Sequence, residues 1–504
     1  MLPDMLADRI VSAWFHSSLR RNQTNPESDS LTNSNHAIHP PRTETGRGDG
    51  KTTALESRFE SACSLPNFLR TLFRRLEESE VRYCVLHSWD LLPEELPNDL
   101  DLAVHPQDKH KLFSIFELLR QQGYVCFQCL NHSKNGHFFV FSWAERSKVK
   151  TAPVDIVFDH RRSGLVLSTS EKMVAERERH GDFWISSAKT EFAYLLAKKA
   201  WKGRASPSQS LRLRQLVERL GPAEAEKIAG EIFPRKWRKR AVEACLNGSI
   251  AADLVHARAK FWRTAWSRRP LQLIGYLAAD MKRVIQRWIH PTGILVAILG
   301  PDGVGKSTVI SGLVNALNLG FWGRHRLFHW RPQTLFRGRD TGINTTPHAK
   351  TPRGMFLSMA YLTAFFLDHW FGYLFVVRPS LSRSNLVLFD RYFHDVLVDP
   401  RRYRYGGPKW FALFLSYLVP EPDLVVLLDA DQQLIFSRKA ELPPDEIERQ
   451  RQTYQRLRFN RAQRVLIHAD VGIASTIVST SSAVTEFMRR RLIPRMREWR
   501  MVVN

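Results

Sequence analysis

The sequence predicts an α/β fold, and three observations predict it. Gly300-Pro301-Asp302-Gly303-Val304-Gly305-Lys306-Ser307-Thr308 matches G-x-x-x-x-G-K-[ST] and lies between an apolar run and a helical pattern. Apolar runs at 294–299, 385–389 and 424–428 alternate with helical segments, as in a doubly wound domain built on a buried parallel sheet. Short strands at 100–104 and 154–158 flank a helix, which reads as a separate α+β unit upstream. Apolar residues at 43% and charged residues at 25% are ordinary for a globular chain. That composition excludes a mostly disordered, fibrous or multi-span membrane protein.

Taken in order, residues 1–54 read as a leader, because 17–50 are rich in Ser, Asn, Thr, Pro and Gly. Its first residues do not read as a signal peptide, since Asp4 and Asp8 interrupt a short apolar stretch. The α+β unit spans 55–165. Phe68, Leu69, Leu72, Phe73 and Leu76 recur at helical spacing, and strands follow at 81–86 and 100–104. A helix is expected over 109–122, then strands near 124–130, 137–143 and 154–158. A mostly helical extension fills 166–250, with breaks at 203–208 and at Gly221-Pro222. A basic, Trp-rich stretch, 251–292, holds Trp262, Trp266, Arg268, Arg269, Lys282, Arg283, Arg287 and Trp288. It reads as a connecting helix; an interfacial helix on an anionic membrane is the alternative. The third unit is 293–504.

Lys and Arg number 74 against 50 Asp and Glu, a net charge of +24, which favours anionic partners. The excess divides evenly, +12 before Gly293 and +12 from it onward, so no dedicated nucleic-acid arm is expected. Five cysteines make no disulfide framework and fit a reduced, cytoplasmic compartment. Cys126 and Cys129 form one CxxC with His132 and His137 downstream, and read as half-buried strand residues rather than a zinc site. The apolar window 355–377 contains Asp368, His369 and Gly372, which predicts a buried helix pair rather than a membrane span.

The glycine-rich loop carries the clearest chemistry. Its glycines turn backbone N–H groups toward phosphates, Lys306 reaches the β- and γ-phosphates, and Ser307 offers a hydroxyl to Mg²⁺. Asp390 ends an apolar strand and so projects into the ligand crevice. There it can hold Mg²⁺ through water, and Arg391 beside it can clamp an acceptor phosphate in bidentate fashion. Asp302 and Thr308 make this loop resemble the G-x-D-G-x-G-K-S-T loop of thymidylate kinases. Asp390-Arg391-Tyr392 is similar to that family's D-R-Y motif, and Pro422-Asp423-Leu424 through Asp429 to its P-D-L…L-D strand. Ser437-Arg438-Lys439 and the charged stretch 445–458 follow where the family has a mobile lid. The resemblance spans about 200 residues. It implies a P-loop kinase domain using ATP and Mg²⁺, with Gly300, Asp302, Gly303, Gly305, Lys306, Ser307 and Thr308 binding nucleotide. It further implies that Asp302 contacts the acceptor sugar, that Lys306, Asp390, Arg391 and Arg438 act in transfer, and that the protein is a homodimer. Lys439, Arg449 and Arg451 are weaker lid candidates. The family's Ser-x-x-Ala-Tyr-Gln stretch after D-R-Y is absent; Asp/Arg-rich 395–404 stands there, and 328–354 is an insert. Either segment shapes a different acceptor pocket or is a structural loop pinned by Arg–Asp pairs.

Upstream, Asp99 and Asp101 alternate on one strand, so both point to one face. Asp155 adds a third acid. This set resembles the nucleotidyltransferase fold, whose D-x-D and distal carboxylate hold two Mg²⁺ around a triphosphate. That family's upstream Gly-Ser is His87-Ser88 here. The expected activity is ATP-dependent phosphoryl transfer to a nucleoside monophosphate (dTMP to dTDP) or a related small phosphorylated acceptor. The alternatives are an ATP-dependent switch or binding protein, and nucleotidyl transfer by the front unit in polysaccharide or nucleotide-sugar metabolism.

Overall fold

A mixed sheet at the front and a parallel sheet at the back organise the chain. The computed structural model describes residues 63–250 and 270–501, except 134, 163–164 and 336–350, together with 254, 266 and 267. The leader, Trp262, Arg268, Arg269 and the middle of the 328–354 insert lie outside the described residues, as does the side chain of His132. All described residues belong to one unit.

The front sheet starts from the helix Leu65–Glu78, capped by the Ser64 hydroxyl accepting from Asn67 N. Its buried stripe is Phe68, Leu69, Leu72, Phe73 and Leu76, as the spacing predicts. Strands β1 (Tyr83–Val85), β2 (Leu100–Val104), β3 (Val125–Ser133), β4 (Gly136–Glu145) and β5 (Lys148–Val157) follow. A separate hairpin, β6 (Asp159–Arg162) with β7 (Leu165–Thr169), leads to β8 (Glu178–His180) and β9 (Phe183–Ile185). The sheet order is β3-β4-β5-β2-β1-β9-β8. The extension read as mostly helical, 166–250, opens on the short helix Ser170–Ala175, and β8 and β9 interrupt it; each has three residues, too few to show a period. Four helices complete the extension, Ala188–Lys202, Pro207–Leu220, Pro222–Ile232 and Arg235–Leu246, with breaks at Gly203 and Gly221.

The back sheet contains β10 (Ile294–Leu299), β11 (His325–His329), β12 (Leu386–Asp390), β13 (Leu424–Asp429) and β14 (Gln463–His468), in the order β11-β12-β10-β13-β14. Every pairing is parallel. The chain crosses to one side of β10 and then to the other. The carboxyl end of β10 is therefore a topological switch point, where open α/β sheets bind ligands.

The two sheets share apolar packing. Phe127, Leu130, Phe138 and Val140 of β3 and β4 belong to the cluster that buries Ile294, Val296 and Ile298. Phe138 stacks on Trp322 at 4.3 Å, and the Gln128 side-chain amide donates to Thr292 O at 3.0 Å. The C-terminal helix Ile473–Met501 enters both cores, with Val484 and Met488 in the back one and Leu492 and Met496 in the front one. A bulge between Cys126 and Gln128 turns Cys126 and Cys129 both into the front core. Burial raises both thiols, Cys129 to about 12, which makes them inert packing groups.

The apolar window 355–377 is not a buried helix pair. Helix Met355–Gly372 continues through a π-helical turn, Tyr373–Val377, into Arg378–Ser382. Gly372 does not break it; its missing Cβ makes room for Pro332, which packs where that carbon would stand. Over its most apolar 18 residues this continuous helix of 28 residues has a mean hydropathy of 1.3 and is 28% buried. Among the described residues it is the one helix long and apolar enough to cross a membrane.

Candidate active site

The phosphate-binding loop leaves β10 and closes against the neighbouring strand. Gly300 has φ 149°, and a Cβ there would stand 2.5 Å from Leu428 O, so only glycine lets the loop lie this close to β13. Gly303 and Gly305 also have positive φ. Helix Lys306–Leu317 begins at the loop's end, with Ser307 and Thr308 exposed on its first turn. Lys306 is buried. Its Nζ donates to Gly300 O at 2.9 Å and Pro301 O at 2.8 Å, and lies 3.4 Å from Asp302 Oδ1. Burial first, and Arg391 second, pull this ammonium down to about 7. An anion brought beside Nζ would favour its charged form.

Asp390 and Arg391 project from the end of β12, beside β10. Asp390 lies opposite Ile298 and His329 in the parallel register. Its Oδ2 is 3.4 Å from His329 Nδ1, while its Oδ1 is buried with no hydrogen-bond partner. Burial alone would raise this carboxyl; His329, Lys306 and Arg391 outweigh it and hold it below its usual range. Arg391 has φ 74°, a strained conformation for a side chain this size. The strain aims its buried guanidinium back over the loop. One arm reaches Asp395 Oδ2 at 2.8 Å and the Tyr454 hydroxyl at 3.3 Å; the other grips Asp302. Arg402 grips the second oxygen of Asp302, Tyr403 donates to Asp395 at 2.6 Å, and Tyr454 donates to Asp395 as well.

The Asp/Arg-rich stretch is pinned by Arg–Asp pairs, the second of the two readings the sequence allowed. Its Arg–Asp pairs pin the loop, and they pin it onto Asp302 in the phosphate-binding loop. Arg402, Tyr403, Asp395 and Tyr454 were not singled out from the sequence. The run Arg401-Arg402-Tyr403-Arg404 carried a signal for two of them, whereas Tyr454 sits in a charged helix, Pro444–Arg456, and carried none. Of the lid candidates, Arg438 is exposed at the last position of helix Gln432–Arg438. Lys439 pairs with Glu441 at 3.1 Å, Arg449 with Glu446 at 2.6 Å, and Arg451 makes a forked contact with Asp429 at 2.7 and 3.2 Å.

The front acids also meet. Asp101 faces Asp155 across the parallel β2–β5 pair, and oxygens of Asp99, Asp101 and Asp155 lie within 4.8 Å of one another. Among the described residues this is the one acidic, His or Cys group close enough to hold a metal ion. One of the three, Asp101, is already paired with a side-chain cation. Lys198 Nζ lies 3.0 and 2.9 Å from the two oxygens of fully buried Asp101, with His87 Nε2 at 2.7 Å and the Tyr194 hydroxyl at 3.0 Å. Burial would raise Asp101, but Lys198 and His87 hold it well below its usual range. Asp99 is pushed up, by burial and then by Asp101. A divalent ion at Asp101 would sit against the Lys198 ammonium, so the donor set does not fit a two-Mg²⁺ centre. Mg²⁺ fits the phosphate-binding loop better, where Asp390 Oδ1 lacks a partner.

Known proteins resemble part of this chain. No family model matches it. It is 27% identical over 143 residues to a probable thymidylate kinase of Pyrobaculum aerophilum, covering 28% of this chain and 68% of that protein. Thymidylate kinase of Candida albicans aligns in structure with a TM-score of 0.30 and 19% identity, over 39% of this chain and 93% of the other. Thymidylate kinase of Ehrlichia chaffeensis does so with a TM-score of 0.28 and 17% identity, over 38% and 98%. The similarity to thymidylate kinases thus covers a minority of the chain; none of these relatives accounts for the remainder.

Two outcomes are expected. Nucleotide binding at pH 8 should take up a proton, because Lys306 is mostly neutral in the free protein above pH 7 and charged beside phosphate. Titration calorimetry of ATP in buffers of different ionisation enthalpy checks this: uptake that falls toward zero at pH 6 is expected, and its loss in Lys306→Met assigns it. In the front cluster, Lys198→Met should cost about 3–5 kcal/mol by urea unfolding, because it strands the buried Asp101 charge. Adding Asp101→Asn should recover most of that loss.

Proposed function

We propose that the chain transfers the γ-phosphoryl group of ATP to a small acceptor that already carries a phosphate, with nucleoside monophosphates the first class to test. The observation that carries this reading is the convergence of Lys306, Asp302 and Arg391 at the carboxyl ends of β10 and β12, with Arg402 closing on the same carboxylate. A binding switch needs the loop and its lysine. It does not need two guanidinium groups held on the loop's own acid.

Backbone N–H groups of 300–307 and the Lys306 ammonium neutralise the β- and γ-phosphates, which phosphoryl transfer requires more than covalent chemistry. Ser307 and Asp390 are the residues that would hold Mg²⁺ here; bound there, the ion supplies charge neutralisation on the polyphosphate. In this reading Arg391 and Arg402 exchange the Asp302 carboxylate for the acceptor's phosphate, a like-for-like swap of one planar or tetrahedral oxyanion for another. Asp302, once released, is free to accept from an acceptor hydroxyl. Tyr403 stacks on Trp330 at 4.4 Å, and this pair forms one wall beside Arg402. That wall stands where the thymidylate kinase pattern is lost. The exposed position of Arg438 suits a lid residue that reaches the phosphoryl group on closure.

The front unit enters this proposal as a structural partner. Its acids are assembled, but Asp101 is committed to Lys198, which argues against nucleotidyl transfer there. The compartment that fits an ATP-consuming kinase is the cytoplasm.

Transfer of label from γ-labelled ATP with Mg²⁺ to a panel of nucleoside monophosphates and sugar phosphates tests the reading. One acceptor class should be labelled, with a loss of about 10²–10³-fold in kcat for Lys306→Ala. Arg402→Ala should act mainly on the acceptor KM. ATP binding without label on any acceptor would contradict it.

A further inference from the structure

Three neighbouring helices leave their apolar residues in solvent. On the first, Pro270–Ile289, the usual arrangement is reversed. Asp280, Arg283 and Arg287 face the protein: Arg283 pairs with Asp280, and both arginines donate to Asn131 O, at 3.1 and 2.5 Å. Burial lowers the Arg287 guanidinium to about 10. The opposite face is apolar and open, with Leu271 at 81%, Met281 at 61% and Ile289 at 56% exposure.

The second is the helix from Met355 to Ser382. Its outward side chains include Phe356 at 80% and Phe375 at 70% exposure, with Trp370 and Phe371 between them. From Met355 to Val377 its only carboxylate is Asp368, which is fully buried. The third, Lys409–Leu418, exposes Trp410 at 65% and Phe414 at 54%. The helices touch. Trp370 Nε1 donates to Leu418 O at 3.0 Å, and the Arg378 guanidinium donates to Trp288 O at 2.5 Å and Ile289 O at 2.9 Å.

The long helix is fastened broadside and does not stand free to cross a bilayer. Asp368 accepts from the N–H groups of Thr334 and Leu335, both at 2.7 Å, and from the Thr334 hydroxyl at 2.8 Å. His369 bonds Trp330 O at 3.0 Å, and Leu362 and Val377 lie in the core beneath. Charge complementarity picks the occupant of the open face. On the three helices the carboxylates are Asp368, buried, and Asp280, paired with Arg283, whereas Lys282 and Lys409 are exposed. At the head of the long helix Arg353 lies over Tyr361 at 4.2 Å. A second copy would bring the same net charge of +24; an anionic lipid surface brings the opposite sign.

We infer that this face docks the protein in the plane of an anionic membrane surface, with Phe356, Phe375, Trp410 and the apolar side of Pro270–Ile289 in the headgroup–acyl boundary. Helices that lie in this plane sink about 5–10 Å. The inference is independent of the kinase reading, since Phe356, Phe375 and Trp410, on which its test rests, play no part around Lys306.

Flotation of the full chain with vesicles tests it, using phosphatidylcholine alone and with 30 mol% phosphatidylglycerol. The protein should float with the anionic vesicles at least tenfold more than with neutral ones, and 0.5 M salt should weaken that binding without removing it. Brominated phosphatidylglycerol should quench the wild-type tryptophan fluorescence, a readout that needs no variant. Phe356→Ser, Phe375→Ser and Trp410→Ser together should lower flotation at least tenfold while ATP binding is kept. Absence of wild-type flotation and quenching would overturn the inference. So would a dimer in light scattering that the triple variant dissociates and that binds no vesicles, because a second copy would then cover the face.

Discussion

Charges taken out of water at the carboxyl ends of β10 and β12 are the constraint on which the back half of the molecule depends. Lys306, Asp302, Asp390, Arg391 and Asp395 are all buried or half-buried within one small volume. Isolated, each would be costly there; together they are tolerated because cations and carboxylates alternate. That requirement explains distant features. It explains why Arg391 tolerates a positive φ, why Tyr403 and Tyr454 converge on Asp395, and why the loop around 399–404 is tied down. It also explains the depressed ammonium of Lys306.

The same rule produces the opposite result at the front. Asp99, Asp101 and Asp155 gather as a metal centre would, yet Lys198 closes the cluster from helix Ala188–Lys202. One buried lysine thus turns a ligand set into an internal ion pair. The front unit is then held to the back one by packing, through Phe127, Phe138 and the C-terminal helix.

Much of this was legible in the sequence where one local signal decided the structure. The run at 294–299, the loop after it and the strand at 100–104 stand where their patterns place them, because a buried parallel strand must be apolar and the loop must be glycine-rich. The edge strands β11 and β14 were missed. β11 is largely exposed and mixes His and Arg with Leu and Phe, and the apolar run of β14, Val465-Leu466-Ile467, is only three residues long, too short to show a period. Long-range partners were equally hidden: nothing near Tyr454 announces Asp395, and nothing near Lys198 announces Asp101. The helix at 355–382 shows a different limit. Apolar content alone does not say whether a face meets protein or something else.

In the proposed reaction Arg391 and Arg402 hold Asp302 in place of an acceptor phosphate. A crystal structure of the chain with a non-hydrolysable ATP analogue and its labelled-assay acceptor tests it most directly. Both guanidinium groups are expected on the acceptor's phosphate, with Asp302 released toward an acceptor hydroxyl. Both arginines still closed on Asp302, with the acceptor bound elsewhere, would contradict it.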